Sequence, residues 1–270
     1  MSKMMLAKSL GVSRQSLYYK PKHPTRDPEL RDEILKILEE HPSYGHKRIH
    51  DHFNLYKHRR VNRKRILRIM QKYHIRPRIL RGRRKWPRKG ADIALETIPN
   101  RIKDFCPLQP DCVWVGDFTE LRFHGRKIYF ATVMDAYTRE VLAWQIALHH
   151  TTRLVIDILD EAVRKRGTCP AYFHSDQGSE YTANECIRWL VKHHITPSMS
   201  PKGKPWNNGK QESFYLTFKT ECGTPQQVPT IEALIEVVGK YINYYNTKRI
   251  HSKLKMPPRT FYERTKRKRV

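Results

Sequence analysis

The chain has 270 residues, 39% of them hydrophobic, and 53 Lys plus Arg against 26 Asp plus Glu, a formal net charge of +27. It contains no run near the roughly 18–20 uninterrupted apolar residues of a membrane span, and its first ten residues lack the pattern of a secretory leader. Five scattered cysteines without a Cys-x-x-Cys pair argue against a disulfide framework or a Cys-rich zinc site and read as reduced thiols, mostly in the core.

The length suits about two domains of roughly 100–200 residues each, in a soluble intracellular protein. The positive charge is uneven: residues 1–108 carry 28 basic and 10 acidic side chains, and the remainder 25 and 16. Such an excess points to a polyanion, because neutralising phosphates releases condensed counterions. The chain is therefore expected to bind nucleic acid.

Residues 1–22 read as part of a helix-turn-helix. Ala7 permits close packing, Gly11 suits the turn, and Ser13 suits the cap of a second helix. That helix would present Arg14, Gln15 and Ser16, side-chain types that read base edges. After the breaker-rich stretch 21–28, apolar spacing predicts a helix over 29–40, then helices over 47–55 and 63–73. Asn62 stands at the N-cap of the last of these, and Arg63, Lys64, Arg65 and Arg68 crowd its outer faces. The run 76–89 adds eight basic residues and no acid, among them Arg83, Arg84 and Lys85. These seven side chains are the candidate DNA contacts of a helical DNA-binding region over 23–85. His46 and His50 have a spacing that can hold zinc, but no third ligand is evident.

Pro87, Pro99, Pro107 and Pro110 mark a basic linker over 86–110. Beyond it, strand-like runs cover 113–123, 127–134 and 140–147 with short turns between them, an antiparallel meander. A helix over 152–163, a strand over 171–174, a helix over 183–193, a strand over 195–200 and helices over 208–221 and 230–245 follow. The order β-β-β-α-β-α-β-α predicts an α/β domain with a mixed sheet over 111–262, ending in a basic tail at 263–270.

Three acids stand out. Asp117 interrupts the otherwise apolar 113–118, Asp176 closely follows the strand at 171–174, and Glu212 lies in a predicted helix. Semi-buried carboxylates are costly unless paired or metal-bound, and hard cations such as Mg²⁺ prefer oxygen ligands. Lys219, seven residues after Glu212, shares nearly the same helix face and is a candidate contact to a DNA phosphate. Asp135 reads as a turn residue. His174, Arg249 and His251 each fit either a structural or a site role.

Residues 177–211 put 35 positions between Asp176 and Glu212. With this spacing the chain resembles the DDE transposases and retroviral integrases, and more closely the OrfB transposases of the bacterial insertion-sequence-three family. The resemblance is carried by residues 114–119 (WVGDFT), 174–181 (HSDQGSEY), 198–203 (SMSPKG), 212–215 (ESFY) and 245–254 (YNTKRIHSKL), and early on by 44–49 (YGHKRI) and 61–65 (VNRKR). It implies a ribonuclease H-like core, a mixed five-stranded sheet with helices, preceded by an all-α helix-turn-helix region. Asp117, Asp176 and Glu212 match the family's catalytic, metal-binding triad. The family's reaction cleaves double-stranded DNA at transposon ends and transfers the exposed 3′ end to target DNA, with Mg²⁺ or Mn²⁺, two ions in all. The resemblance further implies a homo-oligomer, a cytoplasmic, nucleoid-associated protein, and possible dependence on the upstream OrfA product. The chain departs from the family at Asn207-Asn208, where relatives commonly carry Asp-Asn. A decayed, non-catalytic DNA-binding protein and a ribonuclease H-like nuclease share parts of this pattern and remain alternatives.

Overall fold

The computed structural model describes residues 3–18, 26–78, 98–103, 105–201, 209–222 and 227–267. The chain divides into two compact units, Met1–Pro77 and Arg78–Val270. Arg83, Arg84 and Lys85, and most of the expected linker, lie outside the described residues.

The first unit is helical. Helix α1 (Lys3–Ser9) is followed by a left-handed Gly11 and a 3₁₀ turn over Arg14–Tyr18, where a second α-helix is expected from the sequence. Ser13 does accept the Ser16 N–H, but the turn closes with the tighter 3₁₀ pattern. Helices α2 (Arg26–Glu40), α3 (His46–Tyr56) and α4 (Arg63–Lys72) bury Leu30, Ile34, Ile49, Phe53, Ile66 and Ile69 between them. The Asn62 side chain accepts the Lys64 N–H at 2.8 Å, satisfying one orphan donor at the start of α4.

The second unit is built on a five-stranded sheet in the order β3-β2-β1-β4-β5. Strands β1 (Val113–Phe123), β2 (Arg126–Asp135) and β3 (Val141–Ala147) form the antiparallel meander expected from the sequence. Strands β4 (Tyr172–Ser175) and β5 (Thr196–Met199) add to β1 in parallel. Helices α5 (Thr152–Arg166), α6 (Ser179–Thr182) and α7 (Asn184–Lys192) belong to one face, with Trp114, Leu142, Leu159, Phe173 and Leu190 in its core. Helices α8 (Gly209–Glu221) and α9 (Ile231–Thr247) cover the other, where Val115, Phe130, Phe214, Phe218 and Val238 pack. Alternation along β1 thus sends Trp114 and Gly116 to one face and Val115 and Asp117 to the other.

Two short elements go beyond the sequence pattern: α6, and a helix α10 (Pro258–Arg267) that runs on past Tyr262. Among the cysteines only Cys186 is fully buried, while Cys106 is exposed and the other three are partly buried, so the thiols are less central than their residue type suggests. Among the described residues no helix is long and apolar enough to cross a membrane.

Candidate active site

In the register of β1 with β4, Val115 faces His174. Two residues further along each strand stand Asp117 and Asp176, the latter just past the end of β4. Because the strands are parallel, equal steps carry both aspartates to the same end of the pair. Gly116 permits this close packing: a Cβ there would run into the Phe173 ring.

Helix α8 brings the third acid. Gln211 Nε2 donates to the Val115 carbonyl at 2.9 Å and to the Thr132 carbonyl at 3.3 Å, and one turn later the Tyr215 hydroxyl donates to the Asp117 carbonyl. These bonds fasten α8 along β1, so Glu212, exposed in the helix's first turn, comes near enough for its charge to act on Asp117. Burial pushes the Asp117 carboxyl up to about 7, assisted by the negative charges of Asp176, Glu212 and Glu180 and opposed by the Phe118 N–H. Asp176 is also raised, first by loss of solvent and then by Glu180, although its side chain reaches the surface and the Gly178 N–H binds it.

The three acids therefore share one electrostatic neighbourhood. Among the described residues no three His, Cys, Asp or Glu side chains are already drawn together tightly enough to cage an ion. Relieving the crowding should stabilise the protein without metal. Asp117→Asn is expected to melt higher than wild type at pH 8 in chelator, a common trade between stability and function. A lower melting temperature would contradict this picture of the site.

Four side chains beyond the three acids complete the surroundings. Glu180 on α6 interacts with both aspartates, and its carboxylate lies 3.5 Å from His150 Nδ1. Tyr181 is buried under the site, and its hydroxyl has no hydrogen-bond partner among the described residues. Gln211 and Tyr215 are the pins that set Glu212. In the sequence, Glu180 is simply an acid four residues past Asp176, a spacing that gains meaning only once α6 is known.

The undecided residues sort themselves out. His174 is fully buried between the Ser198 and Ser200 hydroxyls at 3.0 and 2.9 Å, tying β4 to β5 just before Asp176. Burial, and then the charge of Lys210, pushes its pKa down to about 4, which keeps the ring neutral. Asp135 has the expected turn role, accepting the N–H groups of Tyr137, Thr138 and Asp111. Arg249 is buried in a two-pronged ion pair with Glu221 at 2.6 and 2.7 Å, which ties the end of α8 to the segment after α9. His251 bridges to Met256 through its backbone.

Lys219 is exposed on α8 and interacts with Glu120, two turns beyond Glu212. In the first unit Arg63, Lys64 and Arg68 are exposed and Arg65 is partly buried, and Arg65 and Arg68 both pair with Asp27.

Residues 107–205 and 193–258 each match an integrase core domain family, and residues 25–85 match the HTH-like domain. InsK of insertion sequence element IS150 from Escherichia coli (strain K12) is 31% identical over 93% of this chain and 89% of its own. The transposase of insertion sequence element IS904 from Lactococcus lactis is 33% identical over 72% of this chain and 77% of its own. The magnesium-bound catalytic core of HTLV-2 integrase aligns with 57% of this chain and 98% of its own, but at TM-score 0.43 and 17% identity it is too distant to add weight. The sheet order, the core matches and the two relatives define a ribonuclease H-like integrase core behind a helical HTH-like domain. The chain belongs to the insertion-sequence transposases, as an OrfB protein of the insertion-sequence-three family, in the DDE polynucleotidyl transferase group that carries out DNA transposition and integration.

Proposed function

We propose that this chain is an active enzyme that cleaves double-stranded DNA at insertion-sequence ends and joins the exposed 3′ end to target DNA. Asp117, Asp176 and Glu212 are its catalytic acids and hold Mg²⁺ or Mn²⁺, two ions in all. The reading is supported above all by the shared neighbourhood of the three carboxylates, in which Asp176 and Glu212 help to raise Asp117.

Oxygen donors of this kind suit hard divalent ions, and the mutual repulsion is what a cation would relieve. When bound, such ions activate the attacking oxygen and stabilise the leaving one in phosphoryl transfer. The chain's own residues provide the frame. β1 and β4 fix the two aspartates, the Gln211 and Tyr215 bonds fix α8, and Glu212 is the accessible arm. Lys219 contributes a positive charge further along α8 for a DNA phosphate.

In this reading residues 1–22 and 23–85 bind DNA, 86–110 link them to the catalytic core at 111–262, and 263–270 form a basic tail. Arg83, Arg84 and Lys85 add phosphate contacts. Joining two ends calls for at least two copies of the chain, and the OrfA product is a partner in recognising the ends. The setting is the bacterial cytoplasm, on the nucleoid.

The test is incubation of the protein with labelled duplex carrying the element's ends. Nicked and joined products are expected with Mg²⁺ or Mn²⁺ and are expected to vanish on chelation. Tight binding with no product in either metal, even with OrfA added, would instead make the chain a non-catalytic DNA-binding protein.

A further inference from the structure

The basic side chains around α4 fall into two sets. Asp27, in the first turn of α2, collects one of them: Arg65 Nη2 at 3.2 Å, Arg68 Nη2 at 3.0 Å and Lys72 Nζ at 3.7 Å. The Asp27 side chain is only 16% exposed. Partial burial works against its ionisation, but the Arg65 hydrogen bond and the Arg68 and Lys72 charges outweigh it and hold the carboxyl below its usual range. Arg59 is similarly taken, by Glu33 at 2.7 Å. These cations serve to lock α4 and its leading loop onto α2.

Arg60, Arg63 and Lys64 make up the other set. All three are exposed, and none has an acidic partner among the described residues. Arg63 lies close enough to His46 that its charge, after burial, helps to lower that imidazole's pKa. Beside them opens a groove of about 800 Å³ between α3 and the start of α4, lined by His50, Asn54, His58, Arg60, Val61 and Asn62. Just past α3, His58 takes the left-handed conformation (φ 48°), and the Lys57 and Arg59 N–H groups both return to the Phe53 carbonyl, satisfying an end carbonyl of the helix. The groove's wall is therefore a defined turn. The positive end of α4, capped by Asn62, opens beside it.

We propose that this groove, with Arg60, Arg63 and Lys64 on its rim, is the first unit's duplex DNA surface, and that it receives the sugar–phosphate backbone. The Arg65–Arg68–Lys72 face, though Arg68 and Lys72 are exposed, braces α4 against α2 through Asp27. The inference rests on the reading of the chain as a DNA transposase and says where on the helical unit the DNA lies. A groove lined by imidazole, amide and guanidinium donors at a helix N-terminus suits a phosphodiester. Three cations without carboxylate partners can release counterions on binding, whereas cations already neutralised by Asp27 gain less from a phosphate.

The experiment is equilibrium binding of the full chain to a labelled duplex across a salt series. Arg60→Ala and Arg63→Ala are each expected to lower the slope of log affinity against log salt by about 1, the value of one lost phosphate contact. Arg68→Gln and Asp27→Asn are both expected to leave the slope unchanged, because the cations that Asp27 collects lie away from the DNA surface. A lower slope for Arg68→Gln with wild-type slopes for Arg60→Ala and Arg63→Ala would overturn the proposal, as would wild-type slopes throughout. Should Arg68→Gln lose helix content, photo-cross-linking to the duplex from position 60 and from position 68 decides. Cross-links from 60 are expected, and cross-links from 68 alone would refute the assignment. Binding needs no strand cleavage, so failure here leaves the proposed catalytic activity standing, and loss of that activity leaves these slopes readable.

Discussion

Glu212→Gln is expected to lower metal-dependent cleavage and joining by about a thousandfold while leaving duplex binding close to wild type. Glutamine keeps the shape and the helix position but removes one negative charge from the site. Metal-assisted stabilisation of the transition state is worth several kcal/mol, and each ~1.36 kcal/mol is a factor of ten in rate. Losing roughly 4 kcal/mol gives the stated effect. The fold should tolerate the change, because Glu212 is exposed and α8 is held by its neighbour Gln211 and by Tyr215. Single-turnover rates alongside binding isotherms separate the two effects, and a variant within tenfold of wild type would remove Glu212 from the reaction.

Arg166→Met is expected to destabilise the core unit by about 3–5 kcal/mol, the usual range when one partner of a buried ion pair is removed. Arg166 has a side chain only 5% exposed. It bonds Asp111 at 2.7 Å and Glu140 at 2.8 Å, lies 3.7 Å from Asp135, and stacks 3.7 Å over the Tyr262 ring. Without it Glu140 keeps its ion pair with Arg259, and Asp111 and Asp135 lose the cation that lies between them. For a unit of this size the loss corresponds to a fall of roughly 10 °C in melting temperature. Thermal unfolding measures it, and a shift of less than about 2 °C would show that Arg166 carries little of the load. The network joins the start of β1, the β2–β3 turn, the end of α5 and α10. It therefore holds the sheet that carries Asp117 without touching the acids.

Much of this architecture is legible in the sequence because the relevant signals are local. Asp117 breaks an apolar run in a strand, Asn62 marks the start of α4, and the alternating and helical patterns place all five strands and most helices to within a few residues. The interactions that sort similar residues are not local. Whether Arg68 faces DNA or a carboxylate depends on Asp27, 41 positions away. Arg249 finds Glu221 at a separation of 28 residues, and Asn246 holds both backbone groups of Val141 across 105. Helix α10 escaped the pattern because its single buried residue is Pro258 and its surface is strongly basic. Glu180 joins the acids only because a four-residue helix turns it back toward them.

That fourth acid gives the sharpest test of which carboxylates do the chemistry. The measurement is the rate of strand joining on duplex carrying the element's ends, in Mg²⁺ and in Mn²⁺, for wild type, Glu212→Gln and Glu180→Gln side by side. The expected result is joining lowered about a thousandfold by Glu212→Gln in both metals and joining within about tenfold of wild type by Glu180→Gln, a spread of at least ~2.7 kcal/mol between the two variants. Joining by Glu212→Gln together with a silent Glu180→Gln would contradict the assignment of Asp117, Asp176 and Glu212 as the catalytic set.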